Sequence, residues 1–260
     1  MSEEPNGAVT LPFRDRKAAG RLLGVKLKRR LAAASGAAGA GRIIVLALPR
    51  GGVAVADEVS RVLGAPMDVL VTRKIGYPPQ PELGVGAIAE GTEPVYDTAL
   101  LGRLGLEPPD LAGVAERERA ELARRVQVYR GGRPLPDVRG REVVLVDDGL
   151  ATGVTARAAL RGLRARGAAR TVLAVPVAPP SSAAQMRREA DDVVTLATPA
   201  GFHSVGEWYA AFGQLTDADV LALLGRASQS ALGTSQSAVS ATRRSPCASG
   251  GAARPRVPPH

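Results

Sequence analysis

An α/β fold, a mostly parallel sheet flanked by helices, is predicted by three observations on this 260-residue sequence. Short apolar runs recur along the chain, and runs without polar alternation read as strands buried on both faces. Stretches of helical length lie between many of them, so strand and helix alternate. Several runs end in acids, glycines or cations, and open α/β sheets collect their ligands at the C-terminal strand ends.

The elements follow in order. Arg42-Ile-Ile-Val-Leu-Ala-Leu48 gives a strand over 43–48, and Pro49-Arg50-Gly51-Gly52-Val53 leads into a helix over 52–63. Strands are predicted over 68–73 and 84–89, then a helix over 110–128. Glu142-Val-Val-Leu-Val146 marks a strand over 141–147, followed by helix 155–166, strand 170–177, helix 181–190 and strand 193–197. The stretch 91–136 is long for a connection within one domain. Its helix carries Glu121 and Arg125 at i,i+4 spacing.

Composition narrows the function classes. Aromatic residues make up 3% of the chain, so the core must be built from Val, Leu, Ile and Ala. The first residues lack a basic segment running into an apolar one, and no apolar run reaches the roughly 20 residues that span a bilayer. A cytoplasmic protein is expected. The single cysteine, Cys247, cannot form an intramolecular disulfide. Of the +9 formal charge, +5 lies in residues 226–260, which hold five arginines and no acid. Rich in Ser, Ala, Gly and Pro, that tail is expected to be disordered and is a candidate for weak polyanion contact. Residues 1–225 are read as one domain, with a core over about 40–200 and a cap over about 198–225.

The most informative run is Asp147-Asp148-Gly149-Leu150-Ala151-Thr152-Gly153-Val154-Thr155, between a buried strand and a helix. Small residues let a backbone close around a phosphate, Thr152 and Thr155 add hydroxyl donors, and the helix start offers free N–H groups. The carboxylates would repel that phosphate. Their natural partners are vicinal ribose hydroxyls or, through them, a hydrated Mg²⁺.

This run resembles the PRPP-binding signature of the type I phosphoribosyltransferases, in which an apolar strand, paired acids and a small-residue loop end in Thr-Gly-x-Thr. The resemblance implies that Asp147 and Asp148 hold the ribose hydroxyls of 5-phosphoribosyl 1-pyrophosphate (PRPP). It implies that Gly149 and Ala151 to Thr155 wrap the 5′-phosphate. Arg50, Gly51 and Gly52 look like the family's pyrophosphate loop, which often contains a cis peptide not involving proline. Arg73 and Lys74 would stabilise charge on the leaving pyrophosphate. With Leu48-Pro-Arg-Gly-Gly52 and Tyr129-Arg-Gly-Gly-Arg-Pro134, the likeness is greatest to a group of predicted bacterial phosphoribosyltransferases and covers residues 10 to 224.

The family has a mobile loop near 91–136 that closes over PRPP, often with a lysine. This stretch has none, so Arg117, Arg124 or Arg125 would substitute. The aromatic cluster from Phe202 to Phe212 reads as a small hydrophobic cap or as a stacking platform for a base; the family pattern implies a small C-terminal hood over the acceptor here, with Phe202 and His203 nearest the site. No direct protein ligand for metal is expected, Mg²⁺ being held mainly by PRPP and water. Relatives commonly form dimers, which makes a homodimer an expectation.

The function implied is transfer of the 5-phosphoribosyl group to a nitrogenous base with release of pyrophosphate. A PRPP- or nucleotide-sensing regulator with the same fold is the alternative, and a phosphotransferase or hydrolase using the same cradle is a third reading. Gly84-Val-Gly86-Ala-Ile-Ala89 loosely matches a dinucleotide fingerprint but lacks the required preceding strand and following helix.

Overall fold

The computed structural model describes residues 9–35 and 42–227. The tail expected to be disordered, its polyanion contact and Cys247 fall on residues outside that description, apart from 226 and 227. In chain order the elements are α1 (Arg16–Ser35), β1 (Ile43–Ala47), α2 (Gly51–Leu63), β2 (Met67–Val69), β3 (Thr72–Tyr77), β4 (Gln80–Ala89) and β5 (Val95–Tyr96). They continue with α3 (Thr98–Leu104), α4 (Ala112–Arg130), β6 (Glu142–Val146), α5 (Val154–Ala165), β7 (Arg170–Val177), α6 (Pro180–Met186) and β8 (Asp192–Ala197). A last helix, α7, covers 217–227.

Five strands form a parallel sheet in the order β2-β1-β6-β7-β8. Strand alternation divides its side chains between two cores. Val45, Ala47, Val144, Val146, Val172 and Ala174 face α1 and α2, whose contribution includes Leu23, Leu27, Val53 and Val59. Ile44, Leu46, Val143, Leu145, Leu173 and Val175 face α5 and α6, represented by Leu160, Leu163 and Met186. Burial on both faces is why these strands read as unbroken apolar runs. The core is mainly aliphatic, as the scarcity of aromatics required, with Phe13, Tyr129 and Tyr209 its buried aromatics among the described residues.

The run expected as one strand over 68–73 is two elements. β2 ends at Val69, and Leu70 and Val71 carry the chain out of the parallel sheet into β3, which pairs antiparallel with β4. Leu70 and Val71 are both buried, so hydropathy does not change where the pairing partner does. Arg73 and Lys74 therefore sit inside an antiparallel strand, not at the end of a sheet strand.

The three-stranded sheet β3-β4-β5 lies between α5 and the pair α3 and α4. Ala87 and Ala89 pack on Val154 and Ala158, while Ile75 and Val85 pack with Leu101, Leu111 and Ala115. The stretch 91–136 is thus largely built of β5, α3, a 3-10 turn and α4 rather than open loop. α4 runs to Arg130 and stops where Gly131 adopts φ 59°. Near its middle Glu121 accepts hydrogen bonds from Arg124 (2.7 Å) and Arg125 (2.9 Å). These bonds, Arg124's first, hold its carboxyl down at about 2.

A depressed carboxyl stabilises the fold above its ordinary value and loses that contribution as pH falls. Glu121→Gln should therefore melt below wild type at pH 6, with the gap closing between pH 4.5 and about 2; thermal melts across that window test it.

Candidate active site

From β1 the chain crosses to β2 on one side, and from β6 it crosses to β7 on the other, so the crevice beyond the C-terminal ends of β1 and β6 is a topological switch point. Two loops enter it. Pro49-Arg50-Gly51-Gly52 leaves β1 and starts α2, and Asp147 to Gly153 joins β6 to α5. The Pro49–Arg50 peptide is cis; its nitrogen belongs to Arg50, so it is not an X–Pro bond, the feature the resemblance implied for this loop.

The loops touch. A Cβ on Gly51 would lie 1.9 Å from Asp148 Oδ2, and one on Gly52 would lie 2.7 Å from the Val146 carbonyl oxygen. Only glycine leaves room for the paired acids at this approach. The Asp148 amide donates to Asp147 Oδ1 at 2.8 Å, and Arg16 Nε donates to Asp148 Oδ2 at 2.8 Å. Burial and the neighbouring Asp148 carboxylate push Asp147 well above the usual carboxylate range. Burial also raises Asp148, against the opposing pull of the Arg16 charge.

Beyond the acids, Gly149 and Leu150 are buried, Ala151 and Thr152 are exposed, and Gly153 takes φ 77° to start α5. As N-cap, Gly153 offers no side-chain acceptor to the first-turn N–H groups. Val154 packs inward, and Thr155 sits in the first turn. The Ser182 hydroxyl donates to the Ala151 carbonyl, tying the loop to α6. The loop thus brings a helix start, small residues and two hydroxyls together beside a pair of acids, an arrangement chemically suited to an anion.

Other expected residues are more dispersed. Arg50 Nη1 lies 4.0 Å from Asp217, which also accepts a 2.6 Å hydrogen bond from the Tyr129 hydroxyl. Burial, then Asp217, pushes that phenol up to about 12. Arg73 donates to Glu118 on α4 at 2.7 Å, and Lys74 donates to the Glu82 carbonyl at 2.9 Å. Both cations, with Arg117, line a cleft of about 440 Å³ between the β3–β4 hairpin and α4. Arg124 and Arg125 are engaged by Glu121.

The hood is assembled from both ends of the described chain. Phe13 and Tyr209 form a bridge: the Phe13 amide donates to Trp208 O at 2.8 Å and the Ala210 amide to Phe13 O at 2.7 Å. Phe202 stacks on Trp208 and packs on the core, so it serves the cap more than an open stacking surface. His203 is exposed, with its amide held by Glu207 at 2.6 Å. Tyr209 donates its hydroxyl to the Asp148 carbonyl, and burial raises its pKa. Val205 sits where a Cβ on Gly149 would point, 2.4 Å away, so the hood rests on the cradle.

Sequence reasoning misses Arg16 and Asp217, and holds Tyr209 only as a member of the aromatic cluster, without its contact to Asp148. A signal for α1 itself exists, since Ala19, Leu23, Leu27 and Leu31 recur every fourth residue and Asp15 caps the Ala18 amide at 2.7 Å. Nothing local announces that Arg16 would reach Asp148, 132 residues away.

The sequence profile of the phosphoribosyl transferase domain matches residues 21–210, which contain both loops and part of the hood. The chain belongs to the phosphoribosyltransferase family. A phosphoribosyl transferase, so named provisionally, from Mycobacterium tuberculosis H37Rv is 46% identical over 215 residues, 83% of this chain and 47% of that protein. The counterpart in strain CDC 1551 matches equally, and the chain spans about half the length of these curated relatives. The crystal structure of TT1426 from Thermus thermophilus is 44% identical, covering 82% of this chain and 97% of that one with a TM-score of 0.66. The family fold is the one the apolar runs predicted. Among the described residues no helix is long and apolar enough to cross a membrane.

Proposed function

We propose that this phosphoribosyltransferase-family chain transfers the 5-phosphoribosyl group of PRPP to a ring nitrogen of a base. The observation that carries the reading is the convergence of the two loops, with Gly51 against Asp148 and the open start of α5 beside the acids. Asp147 and Asp148 accept hydrogen bonds from the ribose hydroxyls. Gly149 and Ala151 to Thr155 enclose the 5′-phosphate, and Arg50, Gly51 and Gly52 meet the pyrophosphate. Arg73 and Lys74 reach that group by exchanging Glu118 and Glu82 for the ligand. Phe202 and His203 border the acceptor.

In the reaction the nitrogen lone pair forms a bond to C1′ while the C1′–O bond breaks, its electron pair leaving with pyrophosphate. Cations and backbone N–H groups around the leaving group supply the electrostatic stabilisation, and the carboxylate grip supplies orientation. Carboxylate and phosphate oxygens are the hard donors Mg²⁺ prefers. Mg²⁺ would ride on the pyrophosphate and its waters, near Asp147 and Asp148, and would neutralise leaving-group charge. Pentosyl transfer of this kind belongs to nucleotide metabolism, and the acceptor is an unspecified base.

The test is PRPP-dependent release of pyrophosphate with a panel of purine, pyrimidine and pyridine bases, Mg²⁺ present. Stoichiometric pyrophosphate and nucleotide with one base is the expected result. Release of orthophosphate instead would make the chain a hydrolase using the same cradle, and PRPP binding without turnover on any base would make it a sensor.

A further inference from the structure

Arg16 is a buried cation contributed by the far end of the chain to the centre of the site. Its side chain is 10% exposed and that of Asp148 is 14% exposed. Nε donates to Asp148 Oδ2 at 2.8 Å, Nη1 donates to the Gly213 carbonyl at 2.8 Å, and the guanidinium carbon lies 3.8 Å over the Phe212 ring. Phe212 stacks in turn on Tyr209, whose hydroxyl holds the Asp148 main chain. Asp148 is therefore fixed twice, through its carboxylate by α1 and through its carbonyl by the hood.

We infer that Arg16 is a positioning residue for the sugar, holding Asp148 ionised and aimed so that the acid pair accepts hydrogen bonds from a vicinal diol. This rests on the phosphoribosyl reading of the site and assigns part of the ribose grip to α1. The physical reason is the pair itself. Two adjacent carboxyls in a confined crevice tend to share one proton, and a protonated acid becomes a donor where the sugar needs acceptors. Arg16 is a cation in direct contact with the pair, and its contact is to Oδ2 of Asp148 rather than Oδ1. Its planar group is locked between a ring, a carbonyl and a carboxylate, a combination lysine cannot reproduce in full.

The inference separates the sugar from the phosphate. Calorimetric titrations of ribose 5-phosphate and of ethyl phosphate, which keeps a phosphate monoester and lacks the diol, report the ribose grip as a ratio of affinities. Wild type should favour ribose 5-phosphate about tenfold or more, the scale of a charge-assisted hydrogen bond. Arg16→Gln should bring the ratio close to one with ethyl phosphate affinity unchanged, and Arg16→Lys should recover part of the preference. A ratio unchanged in Arg16→Gln, or an equal fall for both ligands, overturns the inference. A wild-type protein that binds neither ligand contradicts the phosphoribosyl reading first, and this inference falls with it.

Discussion

Replacing Asp147 and Asp148 together by Asn is expected to weaken PRPP binding at least a hundredfold while the protein stays folded. Each carboxylate that accepts a ribose hydroxyl makes a charge-assisted hydrogen bond of about 1.5–3 kcal/mol, and two of them exceed the roughly 2.8 kcal/mol that a hundredfold change represents. The fold should survive because Asn keeps a side-chain oxygen that can accept from Arg16, while ionising the buried acid pair is itself a cost. Burial raises both acids, so the native state binds more protons than the unfolded chain, and stability falls as pH rises from the ordinary 3.8 through the raised values. The double variant should lose that part of the pH dependence. Titration calorimetry with PRPP, alongside melts at several pH values, checks both; undiminished PRPP affinity would remove the acids from the site.

Gly51→Ala should have an effect of similar size for a steric reason. The added methyl carbon would sit 1.9 Å from Asp148 Oδ2 and 2.5 Å from its carboxyl carbon. Rotating the Asp148 carboxylate away would break its bond from Arg16, and Tyr209 holds the Asp148 main chain in place. Overpacking should cost about 1–3 kcal/mol of stability, and the displaced acid should lose its hold on the ribose. PRPP affinity should fall on the order of a hundredfold. Gly102→Ala is the control: a Cβ there meets nothing within 4 Å, and alanine favours the interior of α3 by about 1 kcal/mol. Equal PRPP affinity in Gly51→Ala and Gly102→Ala would contradict the contact between the two loops.

The parts of the site legible in the sequence are those that one loop contains. Asp147 to Thr155 carries its acids, its helix start and its small residues in a single stretch, and Arg50 to Gly52 does the same on β1. Parallel strands buried on both faces announce themselves as apolar runs, which is why β1, β6, β7 and β8 lie within a residue or so of their expected ends. The division at Leu70 and Val71 leaves no trace because both residues are buried before and after the change of sheet. α3 escapes the sequence reading although Asp97 caps the Leu100 amide and Gly105 ends it at φ 65°, signals that a seven-residue helix dilutes. Arg16 and Tyr209 act through tertiary contacts with Asp148, so their sequence neighbours could not disclose them.

The position of Arg73 and Lys74 shows how far a resemblance carries. It assigned both to the pyrophosphate, and in the fold each is engaged by a carboxylate or carbonyl beside the hairpin cleft. Ion pairs at partly exposed sites contribute little, about 0–1 kcal/mol, so a multiply charged ligand can displace them.

The most direct measurement is calorimetric titration of the full chain with PRPP in the presence of Mg²⁺, followed by competition with ribose 5-phosphate and with inorganic pyrophosphate. The account predicts one saturable site per chain at which both competitors displace PRPP, because each occupies one of the two loops. Absence of PRPP binding by the folded protein, or binding that neither competitor relieves, would contradict it.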